Sequence, residues 1–180
     1  MNIALFGGSF DPPHLGHQMA MLYALAMARV ERLVMVPCFC HPFDKNLSPF
    51  EHRLAMARLA AEPFGERVEV SDIERQLGGP SRTLRTVAAL AQERLGTAIA
   101  LVVGSDLLAE REHWFAYEEL QKKVRFVVVP RAGYDTSGPL AIPDVSSTEI
   151  RERVARGEVI ADRVAAPVAD YIVTHRLYRP

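Results

Sequence analysis

Residues 2–17 read NIALFGGSFDPPHLGH, and this order of residue types decides how the rest of the chain is read. The run 2–6 is apolar and ends on Gly7-Gly8, the pattern of a buried strand stopped by a turn. Beyond Pro12-Pro13, residues 14–28 are rich in Ala, Leu and Met and contain no Pro, which predicts a helix. In an open α/β sheet the first strand–turn–helix junction is where ligands bind. The turn is not Gly-x-x-x-x-Gly-Lys-Ser/Thr, and it is not Gly-x-Gly-x-x-Gly, so both common nucleotide-loop readings fail.

Working outward, residues 32–37 (RLVMVP), 67–71 (RVEVS), 98–103 (AIALVV) and 124–129 (VRFVVV) read as further strands. Helices are predicted over 50–62, where Phe50, Leu54 and Ala57 share a face, and over 81–95, 147–156 and 165–175. A polar, charged helical stretch holding Trp114 separates the last two strands, and Gly133 and Gly138 mark a loop. Alternating strands and helices, with strands almost continuously apolar, indicate an α/β fold. The expectation is one Rossmann-like domain over 1–180, with a central parallel sheet and helices on both faces.

The 180 residues are 49% hydrophobic and 24% charged, with a formal net charge of −1. That balance carries no electrostatic footprint for nucleic acid. No apolar run is long enough to span a bilayer, and no leader pattern opens the chain. A cytoplasmic protein with neither nucleic-acid nor membrane partners is expected, and a homo-oligomer stays open. Cys38 and Cys40 are awkwardly spaced for a disulfide and suit a reducing compartment. With His41 they resemble half of a zinc site, but no further ligands complete it, so no metal site is expected. His52 and His113 read as surface or capping residues.

Residues 7–17 have a phosphate-handling logic. Gly7 and Gly8 let backbone approach a ligand closely, and Ser9 with its main chain can donate hydrogen bonds. His14 and His17, at i and i+3 on the first helical turn, point the same way beside the positive end of the helix dipole. Gly16 leaves room for a flat group. The alternative is a plain connection with exposed capping histidines; the whole eleven-residue string favours a site. Residues 145–153 (VSSTEIRER) start a second such helix. A capping box of Ser146 and Glu149 explains those two residues. It does not explain Thr148 and Arg151, one turn apart at a second anion-favouring helix start.

GSFDPPHLGH resembles the signature of the nucleotidylyltransferase superfamily, whose hallmark is His-x-Gly-His after a Gly-rich loop. Residues 145–151 are similar to its Ile-Ser-Ser-Thr-x-Ile-Arg segment, with Val145 in place of Ile. Over nearly the whole length the chain resembles the bacterial nicotinate-nucleotide adenylyltransferases. The stretch 48–60 with Arg53 and Met56, the segment GSDLLAEREHW (104–114), VVPRAGY (128–134) and the tail 169–178 all carry that likeness.

The resemblance implies transfer of AMP from ATP to nicotinate mononucleotide, giving deamido-NAD and pyrophosphate, with Mg²⁺ carried in on ATP. It implies catalytic roles for His14, His17, Lys45 and Arg151. It implies ATP binding by Gly7, Gly8, Ser9, Phe10, Gly16, Gly104, Asp106, Ser147 and Thr148. Thr83, Thr86, Trp114 and Arg131 would hold the acceptor, with Trp114 stacked on its pyridine ring. Asp11 would orient the loop rather than bind a ligand. Two segments depart from the family. Its Pro-Pro-His-Lys is Cys-His-Pro-Phe-Asp-Lys here, leaving only Lys45. Its Ser-Tyr-Thr-x-Asp-Thr-Leu is SRTLRTV (81–87), with Arg82 and Arg85 where Tyr and Asp are usual. Those arginines read either as a solvated helix face or as contacts for a more anionic acceptor. Another phosphomonoester acceptor, such as nicotinamide mononucleotide, and a non-catalytic ATP-binding module remain the alternatives.

Overall fold

A computed structural model describes residues 2–41, 46–106, 115–131, 142 and 144–179. Five strands, β1 (Asn2–Gly8), β2 (Arg32–Pro37), β3 (Val68–Val70), β4 (Ala98–Gly104) and β5 (Arg125–Val129), form one parallel sheet in the order β3-β2-β1-β4-β5. All five arise where the sequence predicts them, four as apolar runs and β3 by alternation. β1 is longer than the run 2–6, because Gly7 and Gly8 still pair with Val36 and Pro37.

The three inner strands, β1, β2 and β4, are buried on both faces, whereas the edge strands β3 and β5 expose Glu69 and Val128. Ala4, Phe6, Leu33, Met35, Ala100 and Val102 face one layer, which includes Met21 and Ala24 of α1 (Leu15–Met27) and Ala57 of α2 (Phe50–Ala61). Ile3, Leu5, Val34, Val36, Leu101 and Val103 face the other. That second layer is built from Ile73 of α3 (Ile73–Leu77), Val87 and Leu90 of α4 (Thr83–Glu93) and Leu120 of α5 (Tyr117–Lys123). The period of two along each strand therefore sorts side chains into two helical layers, as a parallel sheet requires.

The last two helices, α6 (Ser147–Ala155) and α7 (Ala166–Thr174), do not cover the sheet directly. Their Ile150, Val168 and Ile172 pack with Met56 and Ala60 of α2 in a third apolar cluster. This brings the second helix start of the sequence up to the first.

α3 is absent from the sequence-based expectation. Five residues are too few to show a helical period, although Gly78, at φ 64°, supplies the left-handed residue that ends it. Cys38 is buried, Cys40 is exposed, and both are free thiols. His52 is half-buried, with Nδ1 3.0 Å from the Tyr171 hydroxyl. His113 lies outside the described residues. No helix among those described is long and apolar enough to cross a membrane.

Candidate active site

The strand order reverses at β1, which has β2 on one side and β4 on the other. Pairing between β1 and β4 stops at Leu5–Leu101, although β1 runs on to Gly8 and β4 to Gly104. The two strands part at their carboxyl ends, which opens the crevice expected at such a switch point. Concave spaces lined by described residues adjoin it.

The first is lined by Gly7, Gly8, His14, Gly16, His17, Gly104, Asp106, Arg131 and Ile142. The second lies on the β2 side, lined by Gly7, Gly8, Ser9, Cys38, Glu74, Ser81, Thr83 and Thr86. The third is a groove of Ser9, Phe10, Asp11, His17, Ser147, Thr148 and Arg151. His17 belongs to both the first cavity and the groove, and Gly7-Gly8 divides the first cavity from the second.

α1 begins at Leu15, so His14 is its N-cap rather than a residue of its first turn. The His14 backbone N–H donates to His17 Nδ1 at 3.1 Å. A backbone N–H can only donate, so Nδ1 of His17 carries the lone pair and Nε2 carries the hydrogen. Burial, followed by the neighbouring His14 and the Arg131 cation, holds the His17 pKa well below 6.5. The ring is thus a neutral Nε2–H donor at pH 7. Phe10 meets it edge-on with centroids 4.9 Å apart, and His14 lies against it at 3.7 Å. Phe10 itself takes φ 49°, an uncommon backbone for a side chain with a Cβ, held by the packing around it.

His14 is 4% exposed, and its Nδ1 has no partner among the described residues. Among the described residues, Asp106 Oδ1 is the other buried side-chain atom without a partner, and both residues line the first cavity. Native proteins rarely leave such atoms unpaired unless a ligand meets them. Burial, then the Arg131 cation, pushes the His14 imidazole from 6.5 down to about 3.

This shift sets a pH dependence of stability. Above 6.5 neither state binds the proton. Between 6.5 and about 3 only the unfolded chain does, so stability falls as pH drops through that window. His14→Asn is expected to retain about 2 kcal/mol more of its neutral-pH stability at pH 5 than the unsubstituted protein does. Denaturant melts of both proteins at pH 7 and pH 5 check it; parallel losses would contradict it.

Asp106 and Arg131 form an ion pair at 2.7 Å. Arg131 also donates to the Val145 carbonyl at 3.3 Å, and its backbone N–H donates to Ser105 Oγ at 3.1 Å. A Cβ on Gly104 would collide with Asp106 Oδ1, so only glycine lets that carboxylate fold into the cavity. At Gly16 the room goes to His14, whose ring would lie 3.0 Å from a Cβ there.

In the groove, Ser146 caps α6 by accepting from the Glu149 N–H at 3.1 Å, a contact worth about 1 kcal/mol. Only half of the expected capping box forms, because the Glu149 carboxylate pairs with Arg153 at 3.0 Å and Arg163 at 3.4 Å. Arg151 donates to the Asp11 carbonyl at 2.8 Å and to Thr148 Oγ1 at 3.2 Å. Ser147 Oγ donates to the Pro12 carbonyl at 2.9 Å. The two helix starts face one another across the groove.

Residues 5–153 match the cytidylyltransferase-like family model. A protein of Anaeromyxobacter dehalogenans (strain 2CP-C), named probable nicotinate-nucleotide adenylyltransferase, is 44% identical over 98% of this chain and 96% of its own length. A Myxococcus xanthus protein of the same name is 39% identical over 99% and 95%. The chain belongs to the nicotinate-nucleotide adenylyltransferase family. In fold it is similar to the Plasmodium falciparum nicotinic acid mononucleotide adenylyltransferase solved with NaAD, with a TM-score of 0.81 at 22% identity over 98% and 97% of the two chains.

Within that family frame, Thr83 and Thr86 stand together in the second cavity, apart from Arg131. Arg131 shares the first cavity with the histidines, on the far side of Gly7-Gly8. Lys45 and Trp114 lie outside the described residues.

The two unusual arginines differ in what they do. Arg85 donates to the carbonyls of Leu77 and Gly78, both at 2.7 Å, and closes the end of α3. Arg82 stacks over Phe115, 5.0 Å from the ring centroid.

Glu74 shapes the second cavity and was missed by the sequence reading. Its carboxylate accepts from the Thr86 hydroxyl at 2.9 Å, the Phe39 N–H at 3.1 Å and the Ser81 hydroxyl. It lies on the short α3, and only the Gly78-Gly79 stop signals that element.

Proposed function

We propose that the protein transfers the adenylyl group of ATP to nicotinate mononucleotide, forming deamido-NAD and releasing pyrophosphate. The observation that carries this reading is the His17 Nε2–H donor, on a ring that lines both the first cavity and the groove. An acceptor phosphate is ionised at neutral pH and needs no general base. Its oxygen bonds to the α-phosphorus of ATP as the bond to the β-phosphate bridging oxygen breaks. Rate then depends on alignment and on donors aimed at the charge developing on the phosphoryl oxygens.

In this reading His17 donates to the α-phosphate and His14 lies toward the bridging oxygens. Ser9, Phe10, Ser147, Thr148 and Arg151 cradle the outer phosphates at the α6 N-terminus, where the helix dipole favours anions. Gly7, Gly8, Gly16, Gly104 and Asp106 enclose the adenosine, with Arg131 steadying Asp106. Thr83 and Thr86 hold the acceptor in the second cavity, and Lys45 and Trp114 keep the roles their sequence positions imply. Mg²⁺ enters as part of the ATP substrate. Residues 1–180 act as one nucleotidylyltransferase unit on free nucleotides in the cytoplasm.

Pyrophosphate release from Mg-ATP with a panel of mononucleotides tests this. Turnover with nicotinate mononucleotide is the expected result. Turnover only with nicotinamide mononucleotide or another phosphomonoester would reassign the acceptor. ATP binding without turnover on any acceptor would leave a non-catalytic module.

A further inference from the structure

We propose that Tyr178, near the end of the chain, is a positioning residue for the phosphate groove and acts through Asp11. The proposal rests on reading the groove as the ATP phosphate site. Asp11 is 1% exposed, and both of its carboxylate oxygens are occupied. Oδ1 accepts from the Tyr178 hydroxyl at 2.7 Å, and Oδ2 accepts from the Ser48 N–H at 2.9 Å. The carbonyl of the same residue accepts from Arg151 at 2.8 Å, and the next carbonyl, of Pro12, accepts from Ser147. One residue of the first phosphate turn therefore joins the chain terminus to the cation and helix start of the second.

The tail is built to deliver that hydroxyl. Arg176 and Tyr178 adopt φ 52° and 62°, left-handed conformations that cost a residue with a Cβ and persist only where surroundings impose them. Leu177 donates back to the Ile172 carbonyl at 3.0 Å, and Leu177 and Tyr178 pack against the third apolar cluster. The Tyr178 hydroxyl also lies 3.9 Å from the Met56 sulfur, so its donor is spent inside the protein. Without that donor, the buried Asp11 oxygen competes for Arg151, the cation already on the Asp11 carbonyl, and draws it from the groove.

Tyr178→Phe removes one oxygen and leaves the packing in place. Affinities for Mg–α,β-methylene-ATP and for nicotinate mononucleotide, measured separately by calorimetry, together with the melting temperature, test the role. The variant is expected to bind the ATP analogue roughly tenfold more weakly and the mononucleotide within about twofold of the unsubstituted protein. Analogue affinity within about twofold overturns the proposal. So does equal weakening of both ligands with a lowered melting temperature, which would mean general loosening. If the unsubstituted protein does not bind the analogue, the ATP reading falls and the proposal with it. If it binds and the variant binds equally, only the role of Tyr178 falls.

Discussion

His17→Ala is expected to cut turnover by roughly 10²-fold or more while the chain still folds. The ring has one task the backbone cannot take over. Its Nδ1 is committed to the His14 N–H at 3.1 Å, so the hydrogen stands on Nε2 of a ring that lines both cavity and groove. Alanine removes that donor, and a preorganised donor matters more in a confined site than in water. The check is kcat at saturating Mg-ATP and acceptor, beside a thermal melt. A rate within a few-fold of the unsubstituted protein would remove His17 from the chemistry. Because burial and its neighbours hold the imidazole well below 6.5, kcat should show no His17 inflection near that pH.

Gly7→Val is the second large effect, and its signature is a split between stability and binding. Gly7 is the next-to-last residue of the central strand, and a Cβ there meets no described heavy atom within 4 Å beyond its chain neighbours. Valine suits a strand, so the fold should tolerate it, with a melting temperature close to that of the unsubstituted protein. The open space is the crevice itself, since Gly7 lines both the first and second cavities. A branched side chain there occupies room that a substrate needs, and displacing a reactant by about 1 Å costs roughly 10²-fold in rate. The expected result is loss of kcat/KM by about that factor without unfolding. A variant that melts early but works normally when folded would show that Gly7 serves the sheet and not the site.

The fold was legible because its signals are local. β1, β2 and β4 are short apolar runs ended by Gly or Pro, left nearly unbroken by burial on both faces, and β3 shows itself by alternation around Glu69. The two turns proposed to hold phosphate stand out in the sequence for the same reason, as strings of neighbouring residues around His14–His17 and Ser146–Arg151. The short α3 with Glu74 was not, because five residues cannot display a helical period. Nor was the task of Arg85, because reaching the carbonyls of Leu77 and Gly78 depends on how α3 and α4 meet, not on residue type.

Five strands, every described α-helix but the short α3, and two helix starts of anion-favouring composition can be read from the residues alone. Hydrophobic periodicity and capping chemistry act over a few residues, so one chain displays them without its partners. Long-range packing alone sets Gly7-Gly8 between two cavities, pairs Arg131 with Asp106 beside the histidines, and carries Tyr178 to Asp11. Those contacts join residues far apart in the chain, up to 167 positions for Tyr178 and Asp11. They exist only because the sheet parts at its centre and α6 and α7 pack on α2. That packing brings the chain's end against the turn with which GGSFDPPHLGH begins its first helix.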